Sequence, residues 1–283
     1  GSMPELPEVE TVRRGLAPAM EGKRILRVQT RRKDLRFPFP ENFNHRIEGA
    51  RLKHMGRRAK YLVAELSSGE ALIMHLGMTG RFTVSGKKPG KFHHEAGDAE
   101  KHDHVVFDMQ GGATVTFNDA RRFGFMDLWP LDDLDRYPPF DGMGPEPISN
   151  QFSGAYLKEA FVGKKAPVKA ALLDQYVVAG LGNIYVCEAL FRSGISPTKL
   201  AGAIKRDKLE ILAAEIRKVI EEAIEAGGST ISDFETTAGE LGYFQHRFQV
   251  YDREGDPCIT CAKPVKRLVQ SGRSTFYCGT CQK

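Results

Sequence analysis

No apolar run in this chain of 283 residues approaches the roughly 18 that a membrane-spanning helix needs. The start is polar and acidic, unlike a secretory leader, so a cytoplasmic location is expected. There is no internal repeat, which argues against solenoid and propeller designs. Cysteine is scarce until the end: four of the five lie in the last 26 residues. A disulfide framework fits poorly with a cytoplasmic chain. The net charge is only +5, with a pI near 8.9, too mild to mark a polyanion binder by itself.

The positive charge that is present is grouped, as Arg31-Arg32-Lys33, Arg57-Arg58, Arg121-Arg122 and Lys164-Lys165. Repeated basic pairs suggest a polyanion partner, although a solvated surface explains any one of them equally well. The late cysteines form Cys258-x-x-Cys261 and Cys278-x-x-Cys281 with sixteen residues between. Each pair can grip one metal on a tight turn, and together they complete a tetrahedral thiolate site for one structural zinc ion. The residues between read as a β-hairpin, too short to bury much core, so bound zinc would supply most of its folding energy. Arg273, just past Gly272 near the hairpin turn, is either an ordinary loop cation or one held out toward a phosphate. Cys187, alone on an apolar helix, reads as an inert core residue.

At the other end, Met3-Pro4-Glu5 is a usual substrate for removal of the initiator Met, which would expose Pro4 as a secondary amine beside a carboxylate. An α-amino group titrates near ~8, so an appreciable fraction is free to attack an aldehyde-like carbon. Alternatively, Pro4 and Pro7 only punctuate a helix start. Gly1-Ser2 reads as a cloning scar, and with it in place the Pro4 nitrogen is a tertiary amide.

The length accommodates two domains. Residues 5–20 place Val9, Val12, Leu16 and Met20 at helical spacing. From about 24 to 129 short alternating stretches follow (25–28, 61–66, 71–76, 104–107, 113–117 and 125–129), separated by glycine turns, as in an antiparallel sandwich or barrel. Gly86 to Lys101 reads as a surface loop whose His93 and His94 lack partner spacing for a metal. Residues 130–150 are rich in Pro and Gly and read as a linker. Beyond it the character is helical: one helix capped by Ser153, one over 166–173, one over 183–191, and the longest over about 207–226, ended by Gly227-Gly228. Gly180-Leu181-Gly182-Asn183 suits a phosphate at a helix start, but the third glycine of a dinucleotide fingerprint is missing.

With Pro4-Glu5-Leu6-Pro7-Glu8-Val9-Glu10 at one end and the four-cysteine ribbon at the other, the chain resembles bacterial formamidopyrimidine-DNA glycosylases nearly end to end. Further matching stretches are 57–61, 75–78, 101–104, 121–124, 182–185 and 242–244. The resemblance implies an α+β protein with an N-terminal helix and antiparallel β-sandwich, then a helix-two-turn-helix domain and a zinc ribbon, with DNA in the cleft between the domains. The expected divisions are a catalytic domain over 4–134, a linker over 135–150, a helix-two-turn-helix domain over 151–250 and a ribbon over 251–283. The expected partner is damaged double-stranded DNA, bound by a monomer in the bacterial cytoplasm, with no membrane.

Carried residue by residue, the resemblance makes Pro4 the nucleophile at C1′ and Glu5 the acid that protonates the sugar ring oxygen. Lys60 matches a phosphate-binding lysine with a proton-donor role in β-elimination. Arg273 matches the hairpin arginine that grips phosphates and takes part in δ-elimination. Met78, Arg121 and Phe123 match residues that fill the gap left by the extruded base, with Arg121 reading the orphaned cytosine. His75, His102, Lys165, Lys169 and Asn183 fall on DNA-contacting positions, and the segment from about Ser229 to Tyr243 matches a loop that closes over the flipped base. A base inside a duplex must be rotated out to be cut, and the vacated stack needs an apolar wedge and a planar cation.

The implied activity is excision of 8-oxoguanine and formamidopyrimidines through a Schiff base, followed by β,δ-elimination. One departure is Asp119-Ala120-Arg121, with Ala where the family often has Pro. The rivals are an endonuclease VIII-type enzyme for oxidised pyrimidines and a non-catalytic zinc-ribbon DNA-binding protein. The second of these leaves Pro4, Glu5 and Lys60 without purpose.

Overall fold

The computed structural model describes residues 4–86, 101–237 and 248–283, and the side chains of all of these except 228–237. The loop expected over Gly86 to Lys101, its two histidines, and the 1–3 extension fall almost wholly outside the described residues. Two compact units divide the chain: one runs to Asp141 and adds Ile224–Tyr243, and the other comprises Gly142–Ala223 with Phe244–Lys283.

The first unit opens with helix α1, Leu6–Met20, with Pro7 in its first turn, where a missing amide hydrogen costs nothing. Its apolar stripe of Val9, Val12, Leu16 and Met20 is buried in the main core. Eight antiparallel strands follow: β1 Lys23–Thr30, β2 Arg51–Arg58, β3 Tyr61–Leu66, β4 Glu70–His75, β5 Gly80–Ser85, β6 Asp103–Met109, β7 Thr114–Asp119 and β8 Phe125–Pro130, ordered β5-β7-β6-β1-β2-β3-β4-β8. Strand β1 pairs with β2 through Lys23 and Arg24, then shifts register after Ile25 and pairs with β6. That irregularity lets one strand serve two sheets, so residues such as Leu62, Leu72 and Met126 from one face Phe82, Phe107 and Phe117 from the other in a single core. The antiparallel sandwich expected from the alternating pattern is therefore what forms.

Two strands and a short helix were not anticipated. Strand β2, RLKHMGRR, is too basic for its alternation to show, since only Leu52 and Met55 are buried. Strand β5 lies beside the stretch 87–100, and helix α2, Phe43–Ile47, is a single turn or so. At the end of this unit Leu131–Arg136 is a 3-10 helix, and Tyr137 and Phe140 are buried.

The second unit is helical: α3 Gly154–Ala160, α4 Val168–Leu173 and α5 Asn183–Ser193, with α6 Arg206–Thr237 extending beyond it. Ser153 Oγ accepts the Tyr156 amide at 3.0 Å, the expected cap of α3. Helix α6 does not stop at Gly227-Gly228. It continues to Thr237, so the first part of the segment expected as a closing loop is helix, and residues 238–243 lie outside the described residues. A helical glycine costs about 1 kcal/mol and does not force a stop. Gly227 answers a close approach instead, because a Cβ there would sit 2.3 Å from Thr11 Oγ1. The hairpin of β9 Lys266–Gln270 and β10 Arg273–Tyr277 completes the unit.

Candidate active site and nucleic-acid interface

Pro4 and Glu5 stand directly before α1, with Pro4 half-buried and Glu5 buried at the N-cap position. Six residues after Pro4, the Glu10 carboxylate accepts from Arg13 and Arg14 at 2.8 Å and from Arg57 Nε at 3.0 Å. Burial alone would raise its pKa, but the bonds from Arg13, Arg14 and Arg57 hold it down at about 2. Arg57 is itself only 7% exposed and also donates to the Ala59 carbonyl at 2.8 Å. Ala59 has φ 53°, a left-handed turn that ends the β2 strand and hands the chain to Lys60. Arg57 is thus not one of the phosphate-facing cations that the basic pairs suggested. Its charge is spent tying α1 to the turn that carries Lys60.

His75, at the end of β4, is half-buried and stacks on Phe125 with an interplanar angle of 8° and centroids 5.3 Å apart. Burial, reinforced by the charges of Lys60 and Arg36, lowers its pKa to about 4, so the ring is neutral near pH 7. The Gly77 amide donates to Nδ1 at 3.0 Å, which leaves Nε2 as the protonated nitrogen and a hydrogen-bond donor. A cation at Lys60, a second at Arg36 and a neutral donor at His75 therefore converge in this unit. Arg36 carried no signal in the sequence beyond being one basic residue among many.

Met78, Arg121 and Phe123, which the sequence places on two separate turns, come together. Met78 and Phe123 are 37% and 40% exposed, unusual for large apolar side chains. The Arg121 guanidinium lies 4.7 Å above the Phe123 ring, and its Nη1 is 3.6 Å from Met78 Sδ. An exposed apolar pair with a planar cation laid on it has the composition needed to enter a base stack. His102 is half-buried beside His104, with ring centroids 6.4 Å apart.

In the second unit, Ser271 (φ 50°) and Gly272 (φ 78°) form the two-residue left-handed turn joining β9 to β10, which presents Arg273 to solvent. Asn183 Nδ2, at the start of α5, donates to the Ser274 carbonyl at 2.9 Å, while its Oδ1 is buried with no hydrogen-bond partner among the described residues. Lys165 is exposed. Lys169, expected among the DNA contacts, is buried, and its ammonium donates to Thr275 Oγ1 at 2.6 Å.

Below that hairpin the four Sγ atoms of Cys258, Cys261, Cys278 and Cys281 all lie within 4.8 Å of one another, the Cys261–Cys278 and Cys258–Cys281 pairs at 3.5 and 3.9 Å. Zinc–sulfur bonds of about 2.3 Å place tetrahedral corners about 3.8 Å apart, so the cluster fits zinc, whereas a disulfide would need about 2 Å. The amides of Thr260 and Cys281 point at Cys258 Sγ and Cys278 Sγ, as donors to thiolates do. One structural zinc ion is the cofactor of this unit.

Three family models match the chain in order. They are the formamidopyrimidine-DNA glycosylase N-terminal domain over residues 3–126, its H2TH domain over 143–235, and a zinc finger found in FPG and IleRS over 255–283. The chain belongs to the formamidopyrimidine-DNA glycosylase family. A formamidopyrimidine-DNA glycosylase of Dinoroseobacter shibae is 57% identical across 99% of this chain and all of that protein, and one of Ruegeria pomeroyi is 56% identical over the same shares. The crystal structure of the MutM (Fpg) protein of Thermus thermophilus superposes with a TM-score of 0.81 at 38% identity, over 99% of this chain and 98% of that one. A Lactococcus lactis Fpg in complex with DNA containing an abasic site gives 0.83 at 30%, over 99% and 100%.

Within this member of the glycosylase family, two acids to which sequence reasoning gave no role each hold a segment of their own unit. Glu188 on α5 accepts the amides of Gln249, Val250 and Tyr251 at 2.6, 2.9 and 3.0 Å, holding the chain where it enters the ribbon. Burial raises its pKa even against those three bonds. Asp119, at the end of β7, is fully buried between the turns that carry Met78, Arg121 and Phe123. Neither acid has a sequence neighbour that betrays its partners.

Proposed function

We propose that Pro4 is the nucleophile of this enzyme, with Glu5, Lys60 and Arg273 as its partners in the chemistry. The chain is a DNA-formamidopyrimidine glycosylase with lyase activity at abasic sites, acting in base-excision repair on damaged double-stranded DNA. The observation that supports the roles of Pro4, Glu5 and Lys60 is the Glu10–Arg57 pair. It links the helix that Pro4 and Glu5 precede to the turn that ends in Lys60.

In this reading the Pro4 amine adds to C1′ of an extruded 8-oxoguanine or formamidopyrimidine nucleotide, and the C1′–N bond to the base breaks. Glu5 protonates the sugar ring oxygen, so the ring opens to an iminium. That electron sink acidifies C2′. Loss of the C2′ proton expels the 3′ phosphate, and a second elimination expels the 5′ phosphate. Lys60 and Arg273 hold those phosphates as anions. Met78 and Phe123 fill the gap, and Arg121 reads the cytosine left opposite. His75, His102, Lys165 and Asn183 are assigned to DNA contacts, and Lys169 to the seat of the hairpin. The domain division at 134, 150 and 250 and a bacterial cytoplasmic location belong to the same proposal. Among the described residues no helix is long and apolar enough to cross a membrane.

The amine must be free for this to work, and Met3 precedes Pro4 in this sequence. Borohydride should trap a covalent complex between the chain beginning at Pro4 and a duplex with 8-oxoguanine opposite cytosine. The chain whose intact mass retains residues 1–3 should bind the duplex without trapping. Full cleavage by that longer chain overturns the secondary-amine assignment.

A further inference from the structure

Met78, Arg121 and Phe123 are exposed and touch one another, so their place in the unit is set by the two turns that carry them. Those turns are joined through one buried carboxylate. Asp119 Oδ1 accepts from Thr79 Oγ1 at 2.5 Å and from the Arg122 amide at 3.1 Å, and Oδ2 accepts the Gly124 amide at 2.9 Å. Thr79 Oγ1, while donating to Asp119, accepts from the Arg121 amide at 3.0 Å. Hydrogen bonds to an ionised acceptor are roughly twice as strong as neutral ones.

The base of the clamp is itself fixed. The Asp119 amide donates to the His102 carbonyl at 3.0 Å, and the Asp119 carbonyl lies 2.8 Å from His104 Nε2. The turns also touch backbone to backbone. A Cβ on Gly77 would sit 2.4 Å from the Gly124 nitrogen, and one on Gly124 would sit 2.6 Å from the His75 carbonyl. Between the two, Arg122 adopts a left-handed φ of 55°, unfavourable by roughly 1–2 kcal/mol for a residue with a side chain. Its amide is one of those that the carboxylate holds.

We propose that Asp119, acting with Thr79, is a positioning residue for opposite-base specificity, clamping the 77–80 and 120–124 turns so that Met78, Arg121 and Phe123 enter the base stack as one rigid unit. The proposal rests on the assignment of those three residues as the wedge. An amide at position 119 offers one acceptor oxygen where two are needed, and its NH2 would face either the Gly124 amide or the Arg122 amide, donor against donor. Removing the Thr79 hydroxyl leaves the Arg121 amide without its acceptor while sparing the carboxylate's bonds to Arg122 and Gly124.

The experiment measures single-turnover excision of 8-oxoguanine opposite cytosine and opposite adenine, using chains beginning at Pro4. The variants are Asp119→Asn, Thr79→Val, Thr79→Ser and Arg121→Ala, each with its melting temperature recorded. Arg121→Ala removes the proposed base contact and should lower the cytosine-to-adenine ratio by roughly tenfold. Thr79→Val should lower the same ratio several-fold, and Thr79→Ser, which keeps the hydroxyl, should restore it. Asp119→Asn should lower it at least as far as Thr79→Val. If Asp119→Asn does not fold, the Thr79 pair decides. A ratio unchanged in Arg121→Ala means that the wedge reading itself has failed. A ratio lost in Arg121→Ala but kept in Thr79→Val overturns the clamp, and so does equal loss in Thr79→Val and Thr79→Ser.

Discussion

Glu10 stands among three guanidinium groups in a buried position, and this has a thermodynamic signature. Its folded pKa of about 2 lies below the ordinary glutamate value. A depressed carboxylate adds stability that is fully present above the unfolded pKa and is lost as pH falls through the folded one. Two and a half units correspond to about 3 kcal/mol, present at pH 7 and lost between about pH 4.5 and 2. Glu10→Gln should therefore be destabilised at pH 7, where Arg13, Arg14 and Arg57 lose the charge of Glu10, and the deficit should fall by about half by pH 3. Urea unfolding at the two pH values tests this, and a deficit independent of pH would assign the effect to packing. At this scale the sequence was legible where chemistry and spacing mark residues together, as at the four clustered cysteines. It was silent where burial decides. Arg57 and Lys60 are both basic residues of one motif, yet one is 7% exposed against a carboxylate, and nothing in the letters separates them.

Secondary elements were readable in proportion to their apolar contrast. The helix at 6–20 and the strand at 61–66 carry clean periodicities and form where expected. Strand β2 is pinned by its neighbours and by Glu21, whose carboxylate accepts the Met55 amide, while its own residues are mostly polar. The ribbon is the opposite case, since its metal-ligand spacing identified it outright. Its packing was less legible: Phe276, Cys258 and Cys278 join Cys187 and Phe191 of α5 in a small core that no local pattern announced. Removing zinc, or substituting Cys261→Ser, should still dissolve the ribbon, because that core is too small to hold the hairpin without the metal. DNA binding should be lost while the sandwich, with its separate core, persists. Trp129, the sole tryptophan, lies on β8 and donates to the Asp133 carbonyl, so its emission reports on the first unit alone. Emission that stays native-like after metal removal, together with loss of duplex binding, is the expected result. Loss of the native emission would mean that the two cores do not fold independently.

Over the whole molecule a net charge of +5 is a poor guide to DNA affinity, because placement matters more than sum. Arg273 at the hairpin tip and Lys165 are exposed, Lys60 is half-buried beside a neutral His75, and Lys169 and Arg57 are turned inward. Each cation that neutralises a phosphate releases condensed counterions, so the association constant falls with salt at a logarithmic slope of roughly −0.9 per contact. Lys60→Ala and Arg273→Ala should each weaken binding to any duplex and flatten that slope by roughly one unit. Lys169→Ala separates two roles. If its ammonium serves the hairpin through Thr275, binding weakens while the slope stays near that of the wild type, because no counterion-releasing contact is removed. If the buried lysine swings out to a phosphate when DNA arrives, the slope flattens as it does for Arg273. Fluorescence anisotropy with a lesion-containing duplex between about 50 and 200 mM salt, the range over which such contacts are most visible, resolves the two. A wild-type slope near zero would contradict phosphate-dominated binding altogether.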